Sequence, residues 1–158
     1  MKKVIAIELL LVLLLAGVMT LLLYQKEPRK DVTAQEVHTT FASVIGDAAI
    51  SEAGNLRIRR DYNLNAADYD LIVYYTSDDS MEVTEFLMVR ASESERVTIK
   101  AAMEKRISSQ IEAFTGYGEK QVAQLEKAIV VEYGDYIILL IGDDATTWHN
   151  ALKALLEV

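Results

Sequence analysis

From Val4 to Tyr24 the chain is apolar around every helical face. One charge, Glu8, interrupts these 21 residues, and Leu9–Leu23 carries none. At about 1.5 Å per residue such a helix reaches roughly 30 Å, the depth of bilayer hydrocarbon, so the pattern predicts a single transmembrane helix. Lys2 and Lys3 precede it, and Tyr24, Lys26, Arg29 and Lys30 follow, placing cations and a ring at headgroup depth. Pro28 stands where a helix would stop, so residues 25–31 read as a polar tether. A basic start and an apolar core also fit a secretory signal. The run is longer than a usual signal core, however, and no Ala-x-Ala follows it, which favours an uncleaved anchor. Basic residues on the two flanks nearly balance. The short polar head favours an inside N-terminus and an outside domain. Glu8 reads as a boundary carboxylate reaching toward Lys2 and Lys3, with a proton or partner site as the alternative. Ala16 and Thr20 make a small-xxx-small pair of the kind that supports helix association.

Beyond the tether, from Val32 to Val158, the periodicity changes. Thr33-x-x-Glu36 fits a capping box, and Val37, Phe41, Val44, Ile45 and Ala48 recur at helical spacing, predicting a helix that ends around Ile50. Asn55–Asp68 alternates only weakly and reads as a turn of helix and then a loop. Leu71–Tyr75 and Val83–Arg90 read as strands joined by the turn Ser77–Ser80, an antiparallel hairpin. Ser92-x-x-Glu95 is a second capping box. The helix after it carries Ile99, Met103, Ile107, Ile111 and Phe114 on one stripe, and Gly116 and Gly118 end it. A shorter helix is predicted over Glu119–Lys127.

Ile129–Glu132 and Tyr136–Ile141 are strands around the turn Gly134-Asp135. With that loop, Val131 faces Ile138 and Ile129 faces Leu140. Ile137–Ile141 has no polar alternation, as expected of a strand covered on both faces. Gly142-Asp143-Asp144 precedes a last helix, whose buried stripe holds Trp148, Leu152 and Leu155. The sum is an α+β chain: an N-terminal transmembrane anchor (1–24), a tether (25–31) and a domain (32–158). That domain would hold a four-stranded, mainly antiparallel sheet and about four helices.

Charge narrows the partners. Of 16 basic and 24 acidic residues, the first 30 positions hold five and two, leaving 11 against 22 in the remainder, a net −11. Nucleic acid is an unsuitable partner for such a surface. The chain has no cysteine, which excludes disulfides, thiolate catalysis, cysteine-ligated zinc and iron–sulfur clusters within it.

Glu85-Phe-Leu-Met-Val-Arg90, Lys105-Arg106, Gln110, Tyr117, Leu125-Glu126-Lys127-Ala128, Gly134-Asp135-Tyr136 and Asp143 together resemble a bacterial family, domain of unknown function 4358. The similarity covers roughly Ala67–Leu155. The resemblance implies a small exported protein of Gram-positive, clostridia-like bacteria, held at the membrane by a lipid or an N-terminal helix. This chain has no cysteine to lipidate. The family brings no established activity, cofactor or catalytic residue.

Candidate chemistry is sparse. His38 and His149 lie far apart, with no HxxxH or HExxH spacing, and read as helix-edge residues in preference to metal ligands. Asp78-Asp79 and Asp143-Asp144 could offer oxygens to a hard cation, but turn and N-cap roles account for both pairs. G-x-S-x-G and S-x-x-K are missing. Gly116-Tyr117-Gly118 reads as a helix stop in preference to a phosphate loop. Arg57, Arg59 and Arg60 could bind an anion, but offsetting neighbouring carboxylates is the simpler role. Tyr62, Tyr69, Tyr74 and Tyr75 read as sheet packing before a ligand groove.

No catalytic, cofactor-binding or metal residue is therefore assigned, and no cofactor is expected. The leading expectation is a single-pass protein of the cytoplasmic membrane with an extracytoplasmic domain. That domain would bind or assemble without catalysis. Its partners would be membrane lipid, through residues 4–24, and an envelope protein. The rivals are a carboxylate-based hydrolytic or transfer enzyme, and an accessory or sensor subunit pairing through Glu8.

Overall fold

The computed structural model describes residues 11–18, 28–29 and 31–157. Among these, no helix is long and apolar enough to cross a membrane, which corrects the expected transmembrane helix. Only residues 11–18 of that stretch are described. They form eight helical residues, which rise only about 12 Å, well under a bilayer's depth. The remainder of residues 4–24, including Glu8 and Thr20, lies outside the described residues.

From Ala34 onward the elements are α1 Ala34–Ala42, β1 Ser51–Glu52, α2 Asn55–Tyr62, a 3₁₀ turn Ala66–Asp68, β2 Leu71–Thr76, β3 Glu85–Arg90, α3 Glu93–Phe114, α4 Glu119–Leu125, β4 Ile129–Tyr133, β5 Tyr136–Ile141 and α5 Ala145–Leu156. The strands form one antiparallel sheet of five, in the order β1-β2-β3-β5-β4. The expected sheet of four is thus corrected to five. The added strand, β1, pairs Ser51 with Thr76 and Glu52 with Tyr75. Two exposed polar residues give no apolar period, so the alternation rule could not find it.

Helices cover both faces of the sheet. On one face α2, α3 and α4 pack Ile58, Tyr62, Ile99, Met103, Phe114 and Leu125 against Tyr74, Leu87, Val89, Ile137, Leu139 and Ile141. On the other, α1 and α5 pack Val37, Phe41, Trp148 and Leu152 against Val73, Phe86, Met88, Ile138 and Leu140. All six residues of β5 are buried, as its unbroken apolar run predicts. Ile129 faces Leu140 and Val131 faces Ile138, the register set by the Gly134-Asp135 turn. Gly134 has φ +55°, a conformation that glycine adopts without strain.

Both capping boxes form. The Glu36 N–H donates to Thr33 Oγ1 at 3.3 Å, and the Thr33 N–H to Glu36 Oε2 at 2.9 Å. The Ser92 N–H donates to Glu95 Oε2 at 2.9 Å. The first helix stops at Ala42, short of the expected Ile50. Turns through Gly46, at φ +61°, carry Val44, Ile45 and Ala48 back onto the same core, which imitates helical spacing. Asn55–Tyr62 is a full helix, and its C-cap Asn63 is left-handed. Part of residues 25–31 lies on the domain. The Arg29 N–H donates to the Leu156 carbonyl at 2.8 Å, and the Arg29 guanidinium pairs with Asp31 and Glu36.

Candidate functional site

A charged side chain opens β3 on the face that also presents Leu87 and Val89. Glu85 is 1% exposed. A buried carboxylate is tolerable only when donors surround it, and two helices, α2 and α3, supply them. Tyr62, at the end of α2, donates its hydroxyl to Glu85 Oε2 at 2.5 Å. Arg106 of α3 straddles the carboxylate: its Nε lies 3.2 Å from Oε1 and its Nη2 bonds the same oxygen. One helical turn on, Gln110 Nε2 donates to Oε1 at 3.0 Å.

A second carboxylate adjoins the first. The Asp61 side chain is 3% exposed. Its Oδ2 accepts from Arg57 Nε at 2.7 Å and from the Tyr74 hydroxyl at 2.8 Å, and its Oδ1 accepts from Arg60 Nε at 2.9 Å. Arg106 Nη2 lies 3.8 Å from Asp61 Oδ2, so one guanidinium bridges both acids. The Tyr62 and Tyr74 rings meet edge to face, 5.4 Å between centroids. Arg57 extends the network to Asp78 and to the Ser77 carbonyl.

The electrostatics follow from burial and pairing. Burial, reinforced by the Glu85 charge, pushes the hydroxyls of Tyr62 and Tyr74 well above the usual tyrosine range. They stay neutral and act as donors. Burial alone would raise the Asp61 carboxyl, but hydrogen bonds from Arg60, Arg57 and Tyr74 outweigh it and hold that group below its ordinary value. Burial opposes the Arg106 charge, and Glu85 outweighs that, holding the guanidinium above its ordinary value. General acid catalysis asks for a carboxyl raised toward neutrality, and Asp61 is moved the other way. What the arrangement does is fix α2, α3 and the sheet together and hold Arg106 and Arg60 in place.

Beside the cluster, between the end of α2 and the middle of α3, lies a cavity of about 390 Å³. Arg60, Tyr62 and Leu64 line one side, and Ala102, Lys105 and Arg106 the other.

The residues singled out in the sequence are dispersed. His38 Nδ1 is 2.9 Å from the Tyr75 hydroxyl and its Nε2 is 3.6 Å from Glu52. His149 Nε2 is 2.6 Å from the Tyr133 hydroxyl. Among the described residues no group of His, Asp and Glu could hold a metal ion. Asp78 pairs with Arg57, and the Asp79 carboxylate accepts from the Met81 N–H at 2.9 Å, a turn role. Asp144 occupies the N-cap of α5 without a side-chain bond to the helix, so the capping expected there is not made.

Gly116 has φ +92°, and the Gly118 N–H closes on the Phe114 carbonyl at 2.8 Å, a helix stop. Arg57 and Arg60 are spent on Asp61 and Asp78, the offsetting role expected of them, and Arg59 donates to Asn65. Tyr62 and Tyr74 meet in the cluster, whereas Tyr75 packs with Phe41 and Phe86 on the opposite face, so the four tyrosines line no single groove.

Glu85, Asp61, Arg106 and Gln110 were missed as a site. The signals available were a charge inside an apolar strand and two polar residues one turn apart beside an apolar helix stripe. No curated protein and no solved structure matches the chain. Residues 44–142, more than half of the chain and including Glu85, Arg106 and Gln110, match the family model described as Domain of unknown function (DUF4358), and the chain belongs to that family.

Proposed function

We propose that the folded region is a non-catalytic binding or assembly module. One observation carries this reading. In the most elaborate polar constellation both carboxylates are covered by internal hydrogen bonds and nearly closed to solvent, Gln110 Oε1 being the one buried side-chain atom left without a partner among the described residues, while Arg60 and Arg106 border a cavity. A hydrolytic or transfer site would need one of the two acids free, with its proton affinity raised. Asp61 and Glu85 do converge on Arg106, which is the feature that favours the enzyme alternative. The donors on Asp61 and its lowered proton affinity speak against that alternative.

The full-length chain is expected to turn over no chromogenic ester, phosphomonoester or glycoside above the buffer rate. Turnover that disappears in Asp61→Asn, at a temperature where that variant stays folded, would overturn the reading. Crosslinking in the source cell is expected to trap one recurring partner, and recovery of the chain alone would count against assembly. A place at the cell envelope is part of the proposal. Its support is compositional, the uncharged run Leu9–Leu23. Recovery of the product in the cytosolic fraction would remove it.

A further inference from the structure

We infer that the cavity between α2 and α3 binds a small organic anion, one carrying a carboxylate or phosphate group. This rests on reading the domain as a binding module and names the ligand class. Residues 31–158 carry a net −11, yet this cavity is bordered by three cations, Arg60, Lys105 and Arg106. The one carboxylate in its wall, Asp61, is already covered by three donors and is 3% exposed.

Lys105 is the unpaired cation of this cavity. Lys153 pairs with Glu157 one turn on and Lys100 with Glu132 across to β4, whereas Lys105, like Lys120 and Lys127 elsewhere, forms no ion pair among the described residues. Lys105 has Ala101 and Ser109 at its helical neighbours. Arg60 and Arg106 are answered by the buried Asp61 and Glu85, so the Lys105 ammonium is the uncompensated charge of this wall, a spot of positive potential within an otherwise acidic domain. Arg60 commits its Nε to Asp61, while its side chain remains 62% exposed. Its outer nitrogens are thus free to meet a planar or tetrahedral oxyanion.

The cavity is built for more than a bare ion. Ala102 leaves room in the helix face, and Tyr62 and Leu64 give an apolar wall, so about 390 Å³ suits an anionic head with a small carbon body. The end of α2 brings the negative pole of its peptide dipoles nearby, and Arg59 and Arg60 in its last turn offset that pole.

The test is titration of the full-length chain with citrate and with inorganic phosphate, at constant ionic strength, by calorimetry. At least one probe should bind, and which one binds assigns the head group. Lys105→Gln should weaken that binding about tenfold, the loss of one charged hydrogen bond. It should leave the unfolding midpoint unchanged, because Lys105 has no ion partner among the described residues. Lys153→Gln, remote from the cavity, should bind as the wild type does. No binding of either probe, or equal weakening in both lysine variants, overturns the proposal. Should binding fail while crosslinking traps a partner, this inference falls and the module reading stands.

Discussion

Moving an unpaired carboxylate into a protein interior costs more than the whole net stability of a small domain. Glu85 therefore exists at the head of β3 only in company with Arg106, Tyr62 and Gln110. Arg106→Met keeps the volume and removes the charge, so it should lower stability by about 3–5 kcal/mol in urea unfolding. Adding Glu85→Leu to that variant should restore most of the loss, because no buried charge is then stranded. If the double variant is no more stable than the single one, the ion pair is not what fixes that site.

Asp61 makes a pH-dependent contribution. Its folded proton affinity lies below the ordinary carboxyl value of 3.8, so the stability it gives is complete above that pH and drains away as pH falls through the folded value. Asp61→Asn should accordingly flatten the acid limb of the stability curve below about pH 4, read from urea midpoints, with the variant less stable at neutrality. None of these partners lies near Glu85 along the chain: Tyr62 is 23 residues away, Arg106 21 and Gln110 25. Local pattern rules work within a turn or a hairpin, and so could not assemble this cluster.

At the level of elements, what periodicity encodes was readable. β2 to β5, the two capping boxes and the Gly134 turn follow from alternation and cap chemistry. The errors have physical sources. Ser51–Glu52 pairs through its backbone and has no apolar face to announce it. Val44–Ala48 keeps helical spacing in a segment bent at Gly46. Packing imposes one further constraint between elements. A Cβ on Gly142 would stand 2.7 Å from the Trp148 ring and 3.3 Å from Thr84. Trp148 is 1% exposed and its Nε1 donates to the Val44 carbonyl at 3.0 Å, so it cannot swing aside. Gly142→Ala should force α5 outward and destabilise by about 1–3 kcal/mol, measured as a loss of urea midpoint.

For the molecule as a whole, a single sheet separates two apolar layers, and β3 with β5 belongs to both. Opening one layer leaves these strands covered by the other and paired with a strand on each side, so their amides should exchange with solvent only on global unfolding. Amides of the short edge strand β1 should exchange far sooner. Native-state hydrogen exchange reads both, and uniform protection across the sheet would contradict this layered account.

The backbone bond from Arg29 to Leu156 has one more consequence. It brings the entry and exit of the folded region to a single corner. A short glycine linker joining residue 157 to residue 28, with the chain reopened at the exposed Gly116, should give a circular permutant that still folds.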